Sequence, residues 1–510
     1  MILKSCKKPV LIKNKFISTI IGTIGIIFGI AFILPISNFS VYMTSYIHEK
    51  QDFVTMHYGL FIGLIFTFSM TLGNSLGGFL ELRLGFTFTT LSGLIIIFVT
   101  NFFYLNIQNI WLCYILTLIV GTGTGIASSL GVKNLSLYKP DKKGLIVAVF
   151  GAVTIIFAGI ISIIGEKIIN SDGHTLGEDE EYYDYKYSSR TYIYFILGFF
   201  TILIGAIIFL IFAFEYSNTE NQEQVENNES IDKGETVETE EKCEPINNRE
   251  NINNEEGGNK ANEEKPNNET DENKKEKDAL LKDINAKNIK KNIKTVIKTF
   301  RFWRLALIQL LITFSFSFIV NTGRTFGAII GIDGKALQFL MICQTVSLII
   351  IGPVIGILVD KKGPLNLLRL TSLVCMIPGI LLAFFLNYSA IFIISFMLGV
   401  MSLISFSVGF SPFIMETYGI EESVILGGII NVVAKVSELI TTVAAFVISL
   451  FYSKDEIEKP YRIMYIIGFI FCIFSLVLLI FENKEKFEYD KKDEDFGNLV
   501  EKGRFTEISV

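Results

Sequence analysis

A lysine and a glutamate lie three residues apart inside an apolar run long enough to cross a bilayer. Residues 427–446 read GGIINVVAKVSELITTVAAF, and Lys435 and Glu438 are the only charges in the run. Each such charge near the centre of a membrane helix costs roughly 2.5 to 3.5 kcal/mol, whereas a same-helix pair at this spacing returns only about 0.2 to 0.5 kcal/mol. Pairing along the helix does not offset the cost, so the side chains must meet a polar environment. Asn431, Lys435, Glu438 and Thr442 follow one another at intervals of four, three and four residues, which puts them on one face of a helix. Counted from Val424, Lys435 lies about 16 Å along that helix, near the middle of a hydrocarbon core about 30 Å thick. Intramembrane ionisable residues of this kind mark substrate pathways or proton relays, or form permanent ion pairs with other helices.

The elements that must hold this stripe follow from composition. The chain has 510 residues, half of them hydrophobic, and a mean hydropathy of +0.48. Its apolar runs repeatedly reach the roughly 18 to 20 residues that span a membrane, which makes it a polytopic membrane protein in contact with the lipid bilayer. The net charge of −6 is concentrated in one hydrophilic stretch and the tails, and no nucleic-acid footprint is present. Six scattered cysteines without a CxxC pair argue against a disulfide framework or a zinc site. All three histidines (His48, His57, His174) fall outside the middle of any span. No paired histidines, HExxH or nucleophile constellation supports an intramembrane enzyme, and no GxxxxGK[ST] supports nucleotide-driven pumping. No cofactor is implied, and any active transport must draw on gradients.

Apolar helices are expected at 16–41, 58–80, 85–103, 110–132, 145–164 and 192–214, and again at 302–322, 336–359, 365–386, 390–412, 424–451 and 463–481. The order is six, a gap, and six. Lys4, Lys7, Lys8, Lys13 and Lys15 precede a first apolar run too long for a cleavable signal, so it is read as the first retained helix. The clusters Lys139, Lys142, Lys143 and Lys361, Lys362 share a side with that basic terminus and place both ends in the cytoplasm. The resulting organisation is a tail (1–15), a first helical half (16–215), a linker (216–300), a second half (301–482) and a tail (483–510). Residues 216–278, rich in Asn, Glu and Lys, are expected to be disordered. The segment after them alternates Ile289, Ile293, Val296, Ile297 and Phe300 with five lysines and predicts an amphipathic helix on the cytoplasmic membrane surface, or a solvated helix leading into the seventh span.

The halves also repeat each other. GGFLELRLG (Gly77 to Gly85) joins the second and third spans, and GILVDKKG (Gly356 to Gly363) joins the eighth and ninth. Each sets small residues at a helix end, then an acid, a base and a glycine in a short turn. Glycine permits close approach and a tight turn, and an acid near helix termini can lock one conformation. Gly356, Asp360 and Gly363, with Glu81, Arg83 and Gly85, are therefore candidate gating residues.

This paired signature resembles that of the major facilitator superfamily. GILVDKKG matches it well, while GGFLELRLG has Glu81 where an aspartate is usual and shifts the acid by one place. The resemblance implies 12 transmembrane helices in two six-helix bundles, an all-α membrane fold with a central cavity and a substrate site near the midplane. GTGTGIASSLGV (Gly121 to Val132), PDKKGLIVAVFG (Pro140 to Gly151) and SPFIMETYGIEESVILGG (Ser411 to Gly428) are similar to the monocarboxylate porter and oxalate/formate antiporter branch. There a lysine of the eleventh helix binds the substrate carboxylate, and Lys435 resembles it. The arginine of that family's eighth helix is absent, and Gln344 is the sizeable mid-span polar group in its place. One fixed cation instead of two favours a monocarboxylate or zwitterion over a dicarboxylate.

The expected activity is secondary transport of a small organic anion, lactate-like or pyruvate-like. Lys435, Asn431, Gln344 and Asn38 would contact substrate, Arg324 would stand at the entrance, and Glu438 would take up a proton when substrate draws Lys435 away. The protein is expected to act as a monomer, in a plasma or organelle membrane. Carriage of an amino acid, vitamin acid or other metabolite on the same fold, and a transport-inactive receptor or scaffold, are the competing readings.

Overall fold

The computed structural model describes residues 14–54, 57–172, 183–214, 287–329, 334–385, 388–451 and 458–482. Helices in the first half are α1 (Lys15–Ala31), α2 (Ile36–His48), α3 (His57–Leu84), α4 (Phe86–Tyr104), α5 (Ile110–Tyr138), α6 (Lys143–Ile169), the single turn α7 (Tyr185–Ser188) and α8 (Thr191–Phe212). A short helix, α9 (287–297), introduces the second half. It is followed by α10 (Phe300–Ile329), α11 (Gly334–Lys362), α12 (Pro364–Phe384), α13 (Ser389–Tyr418), α14 (Ile420–Phe451) and α15 (Glu458–Ile480). Nine helices among the described residues are long and apolar enough to cross a membrane. The pair α1–α2, with α10 and α11, occupies the remaining places in the expected order of six and six. The reading of 216–278 as disordered, and the two tails apart from residues 14, 15 and the start of α1, lie outside the described residues.

The first span is broken rather than continuous. Pro35 has no N–H, and its ring clashes with the carbonyl four residues back, which is that of Ala31, where α1 ends. Residues 32–35 form a turn and α2 resumes at Ile36. Asn14 starts α1 by accepting from the N–H groups of Phe16 and Ile17 at 3.1 and 3.3 Å.

Glycine sets the closest helix contact of the first half. A Cβ on Gly125 would sit 1.9 Å from the Met70 carbonyl oxygen, one on Gly73 would sit 2.1 Å from that of Thr122, and one on Gly121 would sit 1.9 Å from Ser69 Oγ. The glycine-rich stretch of α5 therefore lets its backbone lie directly on α3. Each half has an apolar core of its own, one around Phe32, Phe66, Leu94 and Phe195 and the other around Phe302, Leu368, Phe410 and Ile430.

The helix after the linker departs from the sequence reading. Ile289, Ile293 and Val296 are buried in the second half's core beside Phe302, Tyr418 and Ile425, so these residues of the apolar pattern meet protein, while Phe300 of the same pattern is exposed. The neighbouring ends of α10, α13 and α14 leave an apolar surface that α9 covers, while Lys287, Lys290, Lys291, Lys294 and Lys298 are exposed. At the same end the fully buried carboxylate of Glu482 pairs with Arg301 at 2.6 Å and with Arg304. Arg369 donates to the carbonyls of Leu479, Ile480 and Glu482 and satisfies the last turn of α15.

Candidate functional site in the cleft between the halves

Two helix pairs carry most of the contact between the halves, α3 with α14 and α6 with α11, beside smaller contacts of α6 with α13 and of α5 with α14. Both are tightest at the end that carries Arg83, Lys142, Lys143, Lys361 and Lys362, the basic end. On α6 a Cβ added to Gly144 would meet the Gly356 carbonyl oxygen at 2.8 Å, and the reciprocal Cβ on Gly356 would meet that of Gly144 at 2.7 Å. About one turn along, Gly352 reaches only the Ala148 carbonyl, at 3.8 Å. Beyond it Gly151 and Gly159 have no neighbour within 4 Å among the described residues. Among the described residues, the α6–α11 contact is thus closest at the basic end and loosens beyond Ala148. Gly144, Ala148, Gly151, Ile155, Gly159, Ser162 and Glu166 succeed one another at intervals of three or four, so the face that seals the cleft below also lines it above.

The repeated turns supply the closure. Gly85 and Gly363 adopt φ of 77° and 82°, a left-handed conformation that side chains disfavour, and each N–H bonds the carbonyl four residues back to end its helix. Asp360 crosses from α11 to the start of α6, its two oxygens accepting from the N–H groups of Gly144 and Leu145 at 2.8 and 3.0 Å. A carboxylate at a helix N-terminus satisfies orphan donors and complements the macrodipole. Lys143 adds an ion pair to Glu416 of α13 at 3.0 Å.

The other half of the repeat is wired differently. Glu81 pairs with Lys133 of α5 at 2.8 Å within its own half, both side chains largely buried. The start of α14 carries its own acid, Glu422, which accepts from Asn292 of α9 at 3.3 Å. Arg83 is exposed at the end of α3. Between α3 and α14 the seal is apolar: Phe79 and Leu82 pack on the second half's core and Val424 on the first half's.

Replacing Asp360 with alanine removes two charge-assisted bonds that exist only while the basic end is closed. The expected shift toward opening is about 1 to 2 kcal/mol, roughly tenfold in population. Thiol labelling of a cysteine placed at Ala148, buried in that seal, should accelerate accordingly in a background lacking other cysteines. An unchanged labelling rate would show that Asp360 does not hold the gate.

Lys435 and Glu438 stand where the α3–α14 seam meets the cleft. They form an ion pair along α14, with side chains 27% and 16% exposed. Glu438 also accepts from Thr67 Oγ1 of α3 at 3.4 Å, so the pair touches both halves. Asn431 lies half-buried on the same stripe, nearer the basic end. Across the cleft, Asn38 is exposed and donates to Ser162 Oγ of α6 at 3.3 Å. One turn outward Tyr42 donates to Glu166 Oε1 at 2.6 Å and receives a bond from Asn170 at 3.3 Å. Counting about 1.5 Å per residue from the basic end puts Lys435 at ~23 Å, Glu438 at ~27 Å, Ser162 at ~28 Å and Glu166 at ~35 Å.

Of the residues expected to contact substrate, Lys435 and Asn431 share the α14 stripe with Glu438, and Asn38 meets α6 within the first half. The side chains of Gln344 and Arg324 lie outside the described residues. Thr67, Tyr42, Ser162 and Glu166 went unnoticed in the sequence. Glu166 is exposed in the last turn of α6, where Tyr42 donates to it. A hydropathy window ends this span at 164, whereas α6 continues to Ile169. Asn74 of α3 accepts from Ser128 of α5 at 3.3 Å, a packing contact within the first half.

Residues 19–442 match the family described as the Major Facilitator Superfamily. No curated protein matches the chain. Among solved structures it is similar to the proton:xylose symporter XylE bound to 6-bromo-6-deoxy-D-glucose, with 13% identity, a TM-score of 0.58, and 91% of this chain and 94% of that one covered. It is also similar to the E. coli fucose:proton symporter FucP, with 13% identity, a TM-score of 0.56 and coverage of 91% and 99%. A FucP structure in the outward conformation gives 14%, 0.55, 90% and 99%. Likeness at this level of identity establishes the fold.

Proposed function

The chain belongs to the major facilitator superfamily and is an integral, multi-pass membrane protein, and on that premise we propose that it carries a small monocarboxylate together with a proton by alternating access. The observation that supports this reading is the Lys435–Glu438 pair, held by Thr67 at the junction of the halves. In the empty site the two charges cancel. A substrate carboxylate competes with Glu438 for the Lys435 ammonium, and a proton taken up by Glu438 leaves the loaded site neutral again: one cation, one bound anion, one neutral acid. Anion without proton leaves the site at −1, and proton without anion leaves it at +1. Both carry an uncompensated charge into a restricted, low-dielectric passage, which is costly. Empty and fully loaded sites are therefore the forms able to reorient, and the two fluxes are coupled one to one.

The same count disfavours a dicarboxylate, whose second charge finds no cation among the described groups at this depth. Reorientation then requires the basic-end contacts, Asp360 with α6 and Lys143 with Glu416, to separate while the far end closes.

The test is uptake of labelled lactate, pyruvate and a panel of amino acids and vitamin acids into proteoliposomes, with and without an imposed pH gradient. Saturable monocarboxylate uptake that accumulates only with the gradient is the expected result. Uptake of a different solute overturns the substrate, and gradient-independent uptake overturns the coupling. No transport of any solute would favour a receptor or scaffold.

A further inference from the structure

The first half encloses a cavity lined by none of the residues of the site described above. Helix α4 starts beside the turn at Gly85 and ends at Tyr104, so the turn after it, the end of α2 and the start of α8 lie at the end opposite the basic one. Between them, with the single turn α7, is a space of about 160 Å³, and every residue lining it belongs to the first half. An apolar cavity of about 150 Å³ holds benzene. This one therefore has room for a single six-membered ring and a small substituent.

Five aromatic rings line the space: Tyr46 of α2, Tyr104 of α4, Tyr185 of α7, and Tyr192 and Phe195 of α8. Tyr104 and Phe195 are buried and stacked at 4.8 Å between centroids, and the Tyr104 hydroxyl is bonded to Thr117 of α5 at 2.8 Å. Tyr185 and Tyr192 are half-exposed, so the space opens on their side. No Asp, Glu, Lys, Arg or His stands among the lining residues. Lys50 Nζ already lies over the Tyr185 ring at 5.7 Å, where it repels a second cation. The lining suits a neutral ring, held by offset or edge-to-face contacts with the aromatic side chains.

Ser188 adds one unanswered polar group. It lines the cavity at 0% exposure, and its Oγ has no hydrogen-bond partner among the described residues. The neighbouring hydroxyl of Thr191 is spent, donating to the Ser188 carbonyl at 2.6 Å. Buried polar groups are rarely left alone, because an orphan forfeits the hydrogen bond it made to water. We infer that this cavity binds a small neutral aromatic alcohol, one ring carrying one hydroxyl, with the ring among the tyrosines and the hydroxyl on Ser188. Serine both donates and accepts, so either direction of that bond is available. The occupant fills the gap between the end of α2 and the start of α8 and stabilises the first half by mass action. Its binding is independent of the transported solute and of Lys435.

The test is fluorine NMR of 4-fluorophenol and 4-fluorotoluene, molecules of nearly equal size with and without the hydroxyl. Each is titrated into the full chain in lipid nanodiscs, and into empty nanodiscs as the blank for partitioning into lipid. The expected result is saturable binding of 4-fluorophenol beyond the blank, with a Kd of order 1 mM. Ser188→Ala should weaken 4-fluorophenol about fivefold and change 4-fluorotoluene less than twofold. Leu105→Trp, which fills the space from a lining position, should abolish both. Thermal melting supplies a second readout. Without ligand, Ser188→Ala should melt no lower than wild type, since it removes an unsatisfied hydroxyl, and 4-fluorophenol should raise the melting temperature of the wild type more than that of the variant. No binding beyond the blank, as for a cavity that holds water alone, would overturn the site, and so would an equal loss of both probes in Ser188→Ala. Binding that survives Leu105→Trp in a protein that melts as the wild type does would put the probe elsewhere and overturn it as well.

Discussion

Lys435→Ala should lower transport about a hundredfold or more, equivalent to roughly 2.7 kcal/mol of lost interaction, and should also lower the stability of the protein. The two effects have separate causes. In the proposed mechanism the ammonium is the counter-charge of the substrate carboxylate, which the substitution removes. Its removal also leaves Glu438 uncompensated in a position where its side chain is only 16% exposed. Breaking one partner of a buried pair costs about 3 to 5 kcal/mol. Access from the cleft should bring the cost to the lower end of that range. Replacing both residues, Lys435→Gln with Glu438→Gln, removes the orphaned charge and should restore the melting temperature to near that of wild type. Uptake should stay absent, because anion and proton sites are both gone. A double variant that transports like wild type would reduce the pair to a structural ion pair. One that neither melts normally nor transports would show that the pair holds the halves together through Thr67.

Gly125→Val should prevent the first half from assembling, although its Cβ would meet only packing atoms of α3 and none of Lys435, Glu438 or Thr67. A Cβ at this position falls 1.9 Å from the Met70 carbonyl oxygen and 2.7 Å from the Asn74 nitrogen. These are backbone atoms, and no side-chain rotation relieves the contact. Helix α3 would have to move off α5, and Gly73 and Gly121 on the same seam would lose their contacts with it. Overpacking of this kind costs on the order of 3 kcal/mol or more. The check is the yield of monodisperse protein and its melting temperature in detergent, with Gly159→Ala as the control. Gly159 faces open space among the described residues, and its alanine variant should behave as wild type. Equal behaviour of the two variants would show that α3 and α5 pack less closely than their glycines permit.

The features legible in the sequence were those that depend on a residue and its close neighbours along the chain. Hydropathy over about 20 residues located the helices, because transfer into a bilayer is a property of one segment. Asn431, Lys435 and Glu438 could be assigned to one face because a helix imposes that periodicity. Gly85 and Gly363 marked left-handed turns because residues with a Cβ disfavour that backbone. Local pattern misled where a polar end extended past the apolar slab, and so the window that closed before Glu166 missed its contact with Tyr42. It misled again at α9, whose amphipathic pattern is satisfied equally by lipid or by an apolar protein surface.

The tertiary structure alone decided the partners. Asp360 caps a helix 216 residues away, Glu438 meets Thr67 at a separation of 371, and Asn38 meets Ser162 at a separation of 124. Glu81 and Asp360 occupy equivalent turns, yet one pairs within its half and the other reaches across to the opposite half. The sequence by itself therefore determined a multi-span helical chain with a charged stripe and two glycine-terminated turns. The packing of the halves decided which polar groups share the cleft, because hydrogen bonds and ion pairs act over about 3 Å between segments whose approach no local pattern encodes.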